Sequence, residues 1–291
     1  MSTKQVEAVL HGSPFGMVGD GFRVTNYFPN GNKPGRKMSP FILLDYHPPY
    51  TYTPTKQARG VGVHPHRGFE TVTLAFQGAI AHHDSFGGAG TIFPGDVQWM
   101  TAGSGLLHKE YHEAAFTQNG GVMQMLQLWV NLPAKDKNVR PRYQAITRNQ
   151  MTRVQADEGE GFVEVIAGEH KGAKGPAMTF TPIHMYRVQL TAGAKHNFDI
   201  PAEYNTGILW VKGNGRVNET REAKELDFLL FNQAGSSFTI EATTDIELVV
   251  LAGEPIDEPV VQYGPFVMNH PNEIQEAIED YHAGKYGVLE E

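Results

Sequence analysis

Along most of the chain, apolar residues alternate with polar ones or gather in runs of four to eight, broken by Gly, Pro, Asn or Asp. Side chains of a strand point to alternate faces, so this short period predicts β-strands. Residues 71–76, 123–132, 185–190, 208–212, 228–231 and 246–252 are examples. Many short strands with turn residues between them predict an all-β sandwich or barrel. One segment near the end departs from the pattern. There Ile274, Ala277, Ile278 and Tyr281 recur at i, i+3, i+4 and i+7 and predict a helix. Asn269 or His270 would cap it, Pro271 would sit in its first turn, where a missing N–H costs nothing, and Gly284 would follow its end.

The polar segment 133–142 lacks periodicity and predicts a boundary, dividing the chain into residues 1–140 and 141–291. Residues 69–78 and 204–213 resemble each other in spacing, so the two parts are expected to share one fold. Setting Gly78 against Gly213 places His64 and His66 opposite Asp199 and Pro201, and Glu70 opposite Asn205. The second part is therefore expected to hold no metal.

Composition narrows the chemistry. The chain of 291 residues has no cysteine, which excludes disulfides, thiolate metal sites and a cysteine nucleophile. A formal charge of −8 without basic clusters argues against direct nucleic-acid binding. No run of 18 apolar residues occurs and the first dozen residues lack the order of a signal peptide, so neither a membrane span nor export is expected. The expectation is a monomeric, cytoplasmic protein.

His64-Pro65-His66 sets two imidazoles at i and i+2, on one face of a strand, and His108-Lys109-Glu110 repeats the device with an imidazole and a carboxylate. If neighbouring strands carry both pairs inward, three nitrogens and one oxygen can surround a divalent iron, manganese, cobalt, nickel, copper or zinc ion and leave positions open.

The run His64-Pro65-His66-Arg67-Gly68-Phe69-Glu70-Thr71-Val72-Thr73, the segments 94–103 and 105–110, the run 127–133 and the stretch 253–269 closely resemble the pirin family. The resemblance spans almost the whole chain. It implies two cupin (jelly-roll) barrels packed face to face, the first metallated and the second not, with a short C-terminal helix. It implies His64, His66, His108 and Glu110 as ligands, usually of iron. Pirin relatives are associated with quercetin 2,3-dioxygenase activity, so the implied substrates are a flavonol and dioxygen, with Glu110 accepting the substrate's hydroxyl proton. The alternative implied by relatives in nucleated cells is an iron-dependent redox sensor that binds a protein partner without catalysis.

Neighbouring residues carry further expectations. Glu70 shares the parity of His66 and would reach the same face of a regular strand, unless Gly68 shifts the register; support of the ligands or of the fold is its expected duty. His112 shares the parity of His108 and Glu110, and is read as a rim residue facing solvent or as a fifth ligand. His82-His83-Asp84 leads into the turn residues 85–88; adjacent strand residues point to opposite faces, so the pair is read as a hairpin tip. Phe69, Trp99, Met125 and Trp129 are candidates for the pocket wall or the barrel core. The glycine-rich pieces 87–90 and 103–105 open no helix and are turns, not phosphate loops. No G-x-S-x-G elbow occurs, which leaves a serine hydrolase without support.

Overall fold

A computed structural model describes residues 2–29 and 35–290, and it is built almost entirely of short antiparallel strands. Among the described residues there are two α-helices, Ala114–Asn119 and Pro271–His282, and no helix is long and apolar enough to cross a membrane.

The chain forms two compact units, one of residues 14–26, 41–148 and 256–291, the other of residues 1–13, 27–40 and 149–255. The chain crosses between the units at 13/14, 26/27, 40/41, 148/149 and 255/256, so neither unit is one continuous stretch.

The unit containing 41–148 is a barrel of one seven-stranded and one four-stranded sheet. In the larger sheet Phe69–Gln77 lies between Val97–Thr101 and Gly121–Asn131, and Gly121–Asn131 also pairs with Phe41–Tyr52. The smaller sheet runs Gly60–His66, Leu106–His112, Ile80–Asp84, Ala89–Ile92. Leu106–His112 shows the alternation that a half-buried strand demands: Leu106, His108, Glu110 and His112 are buried while Leu107, Lys109 and Tyr111 are partly exposed.

The other unit repeats this layout. Asn205–Lys212 holds the same third place in its seven-stranded sheet as Phe69–Gln77 does in the first, so the internal repeat read from the sequence corresponds to equivalent strands. Val6–His11 supplies the edge of this sheet by pairing with Asp227–Phe231. The interior is filled by large apolar side chains, Phe198, Trp210, Phe231, Phe238 and Ile240 among them.

The predicted helix forms as Pro271–His282. Its first turn is closed by the Glu273 carboxylate, which accepts from the backbone N–H of His270 at 2.8 Å and of Asn269 at 2.9 Å. Ile274 and Ala277 pack on Phe266, Met268 and Tyr286, and Leu107 adds to that cluster. Tyr281, at the exposed edge of this face, meets the Tyr286 ring at 6.1 Å between centroids. The buried Arg67 guanidinium then ties the helix to the histidine strand, donating to Asp280 at 2.6 Å and Glu276 at 3.0 Å.

Between the strands Gly60–His66 and Phe69–Gln77 the chain turns a corner from one sheet to the other at Gly68, whose φ is +86°. A Cβ there would lie 2.0 Å from the Val267 carbonyl oxygen. Backbone strain and backbone collision both oppose a side chain at this position. Gly68→Ala should therefore lower the unfolding free energy by at least about 2 kcal/mol. Urea unfolding measures this, and an unchanged midpoint would contradict the corner.

Candidate metal centre

Gly60–His66 and Leu106–His112 run antiparallel with His64 opposite His108, and an extra residue on the first strand then brings Glu110 opposite Val61. The three imidazoles consequently cluster, with ring centroids 4.2 Å apart for His64 and His108, 4.7 Å for His66 and His108, and 4.8 Å for His64 and His66. One nitrogen of each lies within 4.8 Å of the others. The Glu110 carboxylate meets the same limit with His108 and with His82, from the neighbouring strand Ile80–Asp84.

Burial sets the electrostatics. His66 and His108 are driven well below the usual imidazole range, first by burial and then by the charge each neighbouring imidazole would carry. Both are therefore neutral and keep a lone pair. His66 Nδ1 and His108 Nε2 are buried nitrogens with no hydrogen-bond partner in the protein. His64 Nδ1 lies 2.8 Å from the Gly62 carbonyl oxygen and donates to it, so Nε2 is the nitrogen free to face an ion. Glu110 Oε1 accepts from Gln98 Nε2 at 2.5 Å, and the Thr73 hydroxyl stands 3.2 Å away. Three clustered imidazoles and a held carboxylate form a donor set that suits a divalent transition metal.

The cluster opens on a cavity of about 250 Å³. Phe22, Val24, Leu43, Val61, Met125 and Trp129 give it apolar walls; His64, His66, Glu110, Asp45 and Gln127 supply its polar groups.

Comparison with known proteins accounts for both barrels. Residues 21–130 match the pirin family model and residues 185–287 match the model of the pirin C-terminal cupin domain. The chain belongs to the pirin family. Among pirin relatives, a Pseudomonas aeruginosa protein named "putative quercetin 2,3-dioxygenase" is 46% identical over 92% of this chain and 93% of its own length. A pirin-like protein of Solanum lycopersicum is 39% identical over 87% of this chain and 83% of its own. A solved structure described as quercetin 2,3-dioxygenase from Acinetobacter baumannii superposes with a TM-score of 0.94 at 43% identity, covering 99% of this chain and all of that one.

In this pirin the other candidates separate. Glu70 does not join the cluster: Gly68 turns the chain into the other sheet, where Glu70 takes a hydrogen bond of 2.7 Å from Thr101. His112 is buried, not solvent-facing; its Nε2 meets the Gly21 carbonyl at 2.8 Å and its ring packs edge-on against Tyr52 and Phe116. His82 and His83 do point to opposite faces, but His82 is fully buried against His108, while His83 lies outside against Tyr111. Met125 and Trp129 line the cavity; Phe69 stands behind Trp129, and Trp99 is enclosed in the core.

Sequence reading missed Gln98, which holds Glu110, and Asp45, a carboxyl in the cavity wall. Burial pushes Asp45 up to about 6 against a 2.6 Å hydrogen bond from Asn26 that pulls the other way, and burial pushes Glu70 up to about 7. Carboxyls of an unfolded chain titrate near 4 (roughly 3.9 for Asp, 4.3 for Glu). Between that range and the folded values the native state holds protons that the unfolded chain has lost, so these two groups make stability fall as pH rises through the window. In the metal-free protein the ¹³C carboxyl signal of Asp45 should titrate near 6, and Asn26→Ala should raise the midpoint. A midpoint in the ordinary range would contradict this environment.

Proposed function

We propose that the chain is a mononuclear metal-dependent dioxygenase of flavonols such as quercetin, with His64, His66, His108 and Glu110 holding one divalent ion. The observation that carries the reading is that His64, His66 and Glu110 line an apolar cavity walled by Trp129, Met125 and Phe22, which suits a flat aromatic molecule, while His108 clusters with the two histidines and, on its other side, with Glu110. The names of the relatives agree with that substrate class. Iron(II) is the ion we assign; nickel, manganese, cobalt, copper and zinc satisfy the same donor set.

A bound ion would lower the pKa of the flavonol 3-hydroxyl and hold substrate and dioxygen together. Glu110 lines the cavity and is steadied by Gln98, so it is placed to take the hydroxyl proton. The aromatic wall orients the flavonol ring plane and excludes water from the anion. The central ring opens as both atoms of dioxygen enter the product and C3 leaves as carbon monoxide.

Replacing His64 and His66 together by alanine removes two of the nitrogen donors, and bound metal should fall by an order of magnitude or more. Elemental analysis of freshly purified protein reads this, and full occupancy in the double variant would overturn the ligand assignment. Glu110→Gln keeps the volume and an oxygen that can accept from Gln98, so the histidines should retain much of the metal. Quercetin-dependent oxygen uptake should nevertheless drop by roughly a hundredfold or more, the scale of general-base catalysis. The deficit should shrink as pH approaches the substrate's own hydroxyl pKa. Unchanged uptake with intact metal would remove Glu110 from proton transfer, and a metal-loaded parent that consumes no oxygen with any flavonol would overturn the dioxygenase reading.

A further inference from the structure

Behind His108 stands a buried pair that the donor set does not include. His82 lies opposite Glu110 and Asp84 opposite His108 on the adjoining strand. His82 Nδ1 is 3.4 Å from His108 Nδ1, and His82 Nε2 is 3.3 Å from Asp84 Oδ2. The Tyr143 ring lies flat on the His82 ring, with centroids 4.8 Å apart and planes 13° from parallel. The other Asp84 oxygen, Oδ1, accepts from the backbone N–H of Phe86 and of Gly88, each at 2.8 Å. Gly88 leaves the space the carboxylate needs, since a Cβ there would lie 2.0 Å from Asp84 Oδ2.

With a single proton on each ring, these contacts admit one arrangement. An ionised carboxylate only accepts, so His82 carries its proton on Nε2 to bond Asp84 Oδ2. Its Nδ1 then offers a lone pair, and His108 presents Nδ1–H to it. The lone pair of His108 is left on Nε2, the buried nitrogen without a protein partner. We propose that Asp84 and His82 are positioning residues: a one-way hydrogen-bond chain from Asp84 through His82 fixes the tautomer and ring angle of His108 so that Nε2 faces the ion. This rests on the reading of His108 as a metal ligand. His82 comes as near to His108 and Glu110 as a ligand would. Turning its Nδ1 lone pair toward an ion would, however, leave His108 Nδ1–H buried without an acceptor. The Gly62 carbonyl, on the same strand as His64, fixes that ring in the same sense. Partners of this kind behind a ligating imidazole set its orientation and basicity.

Asp84→Asn is the discriminating variant. Its Oδ1 must go on accepting the two turn amides, so its NH2 takes the place of Oδ2 and donates to His82 Nε2. His82 is then forced to carry its proton on Nδ1 and His108 on Nε2, the nitrogen an ion would need, while the turn stays capped. In ¹⁵N NMR of the metal-free full chain, the parent should show His108 protonated on Nδ1 and His82 on Nε2, with both reversed in Asp84→Asn. In anaerobic Fe(II) titration against a chelator, Asp84→Asn and His82→Leu should bind about 10- to 100-fold more weakly. His82→Gln, whose amide oxygen can accept from His108, should keep most of the affinity. Parent tautomers opposite to these, or Fe(II) affinity unchanged in Asp84→Asn and His82→Leu, would overturn the proposal. The expected tautomers in a parent that binds no Fe(II) would uphold the hydrogen-bond chain and sink the metal reading beneath it.

Discussion

Two imidazole nitrogens, His66 Nδ1 and His108 Nε2, are buried with no hydrogen-bond partner in the protein. Leaving a buried polar atom unpaired costs about 1–3 kcal/mol, and folded proteins rarely tolerate it. The surrounding arrangement is intelligible as the means of keeping those lone pairs free. Burial holds both rings neutral, Gln98 holds Glu110, and the Gly62 carbonyl holds His64. Farther out, Gly68 turns the chain between sheets, and buried Arg67, the residue before it, is bonded to Asp280 and Glu276 of the C-terminal helix.

The two barrels show how one layout yields two interiors. Each has a seven-stranded and a four-stranded sheet, and the strands Gly60–His66 and Lys195–Asp199 hold matching edge places in the smaller ones. In the first barrel the inward positions carry imidazoles and a carboxylate around a cavity. In the second, Phe198, Phe238 and Ile240 pack into an apolar core. A fold of this kind specifies strand order, while inward side chains decide what a barrel interior can hold.

Much of this was legible in the sequence because it depends on local spacing. The i, i+2 histidines, the His108–Glu110 pair, the capped helix at Pro271 and the repeat around Gly78 and Gly213 are statements about neighbours a few residues apart. What escaped depends on register between distant strands. His112 was expected at a solvent-facing rim, but the Gly21 carbonyl and the Tyr52 ring enclose it. The turn residues after His82-His83-Asp84 point to a hairpin tip, and the turn is there, yet pairing of Ile80–Asp84 with Leu106–His112 sets the His82 ring on His108. Asp45 and Gln98 carry no local signal, since each is brought to the cavity or to Glu110 by pairing across the larger sheet. Likewise, nothing near residues 6–11 announces that they pair with residues 227–231.

The central claim is that one ion sits among His64, His66, His108 and Glu110. Anomalous diffraction from crystals of the metal-loaded chain, collected on both sides of the absorption edge, places that ion directly. The account predicts a single peak per chain, with a nitrogen of each of the three histidines at about 2.0–2.2 Å, ordinary metal–imidazole bonding distance, and His82 bonded to His108 instead of the ion. A peak ligated by His82, or protein carrying its metal elsewhere with this cluster vacant, would contradict it.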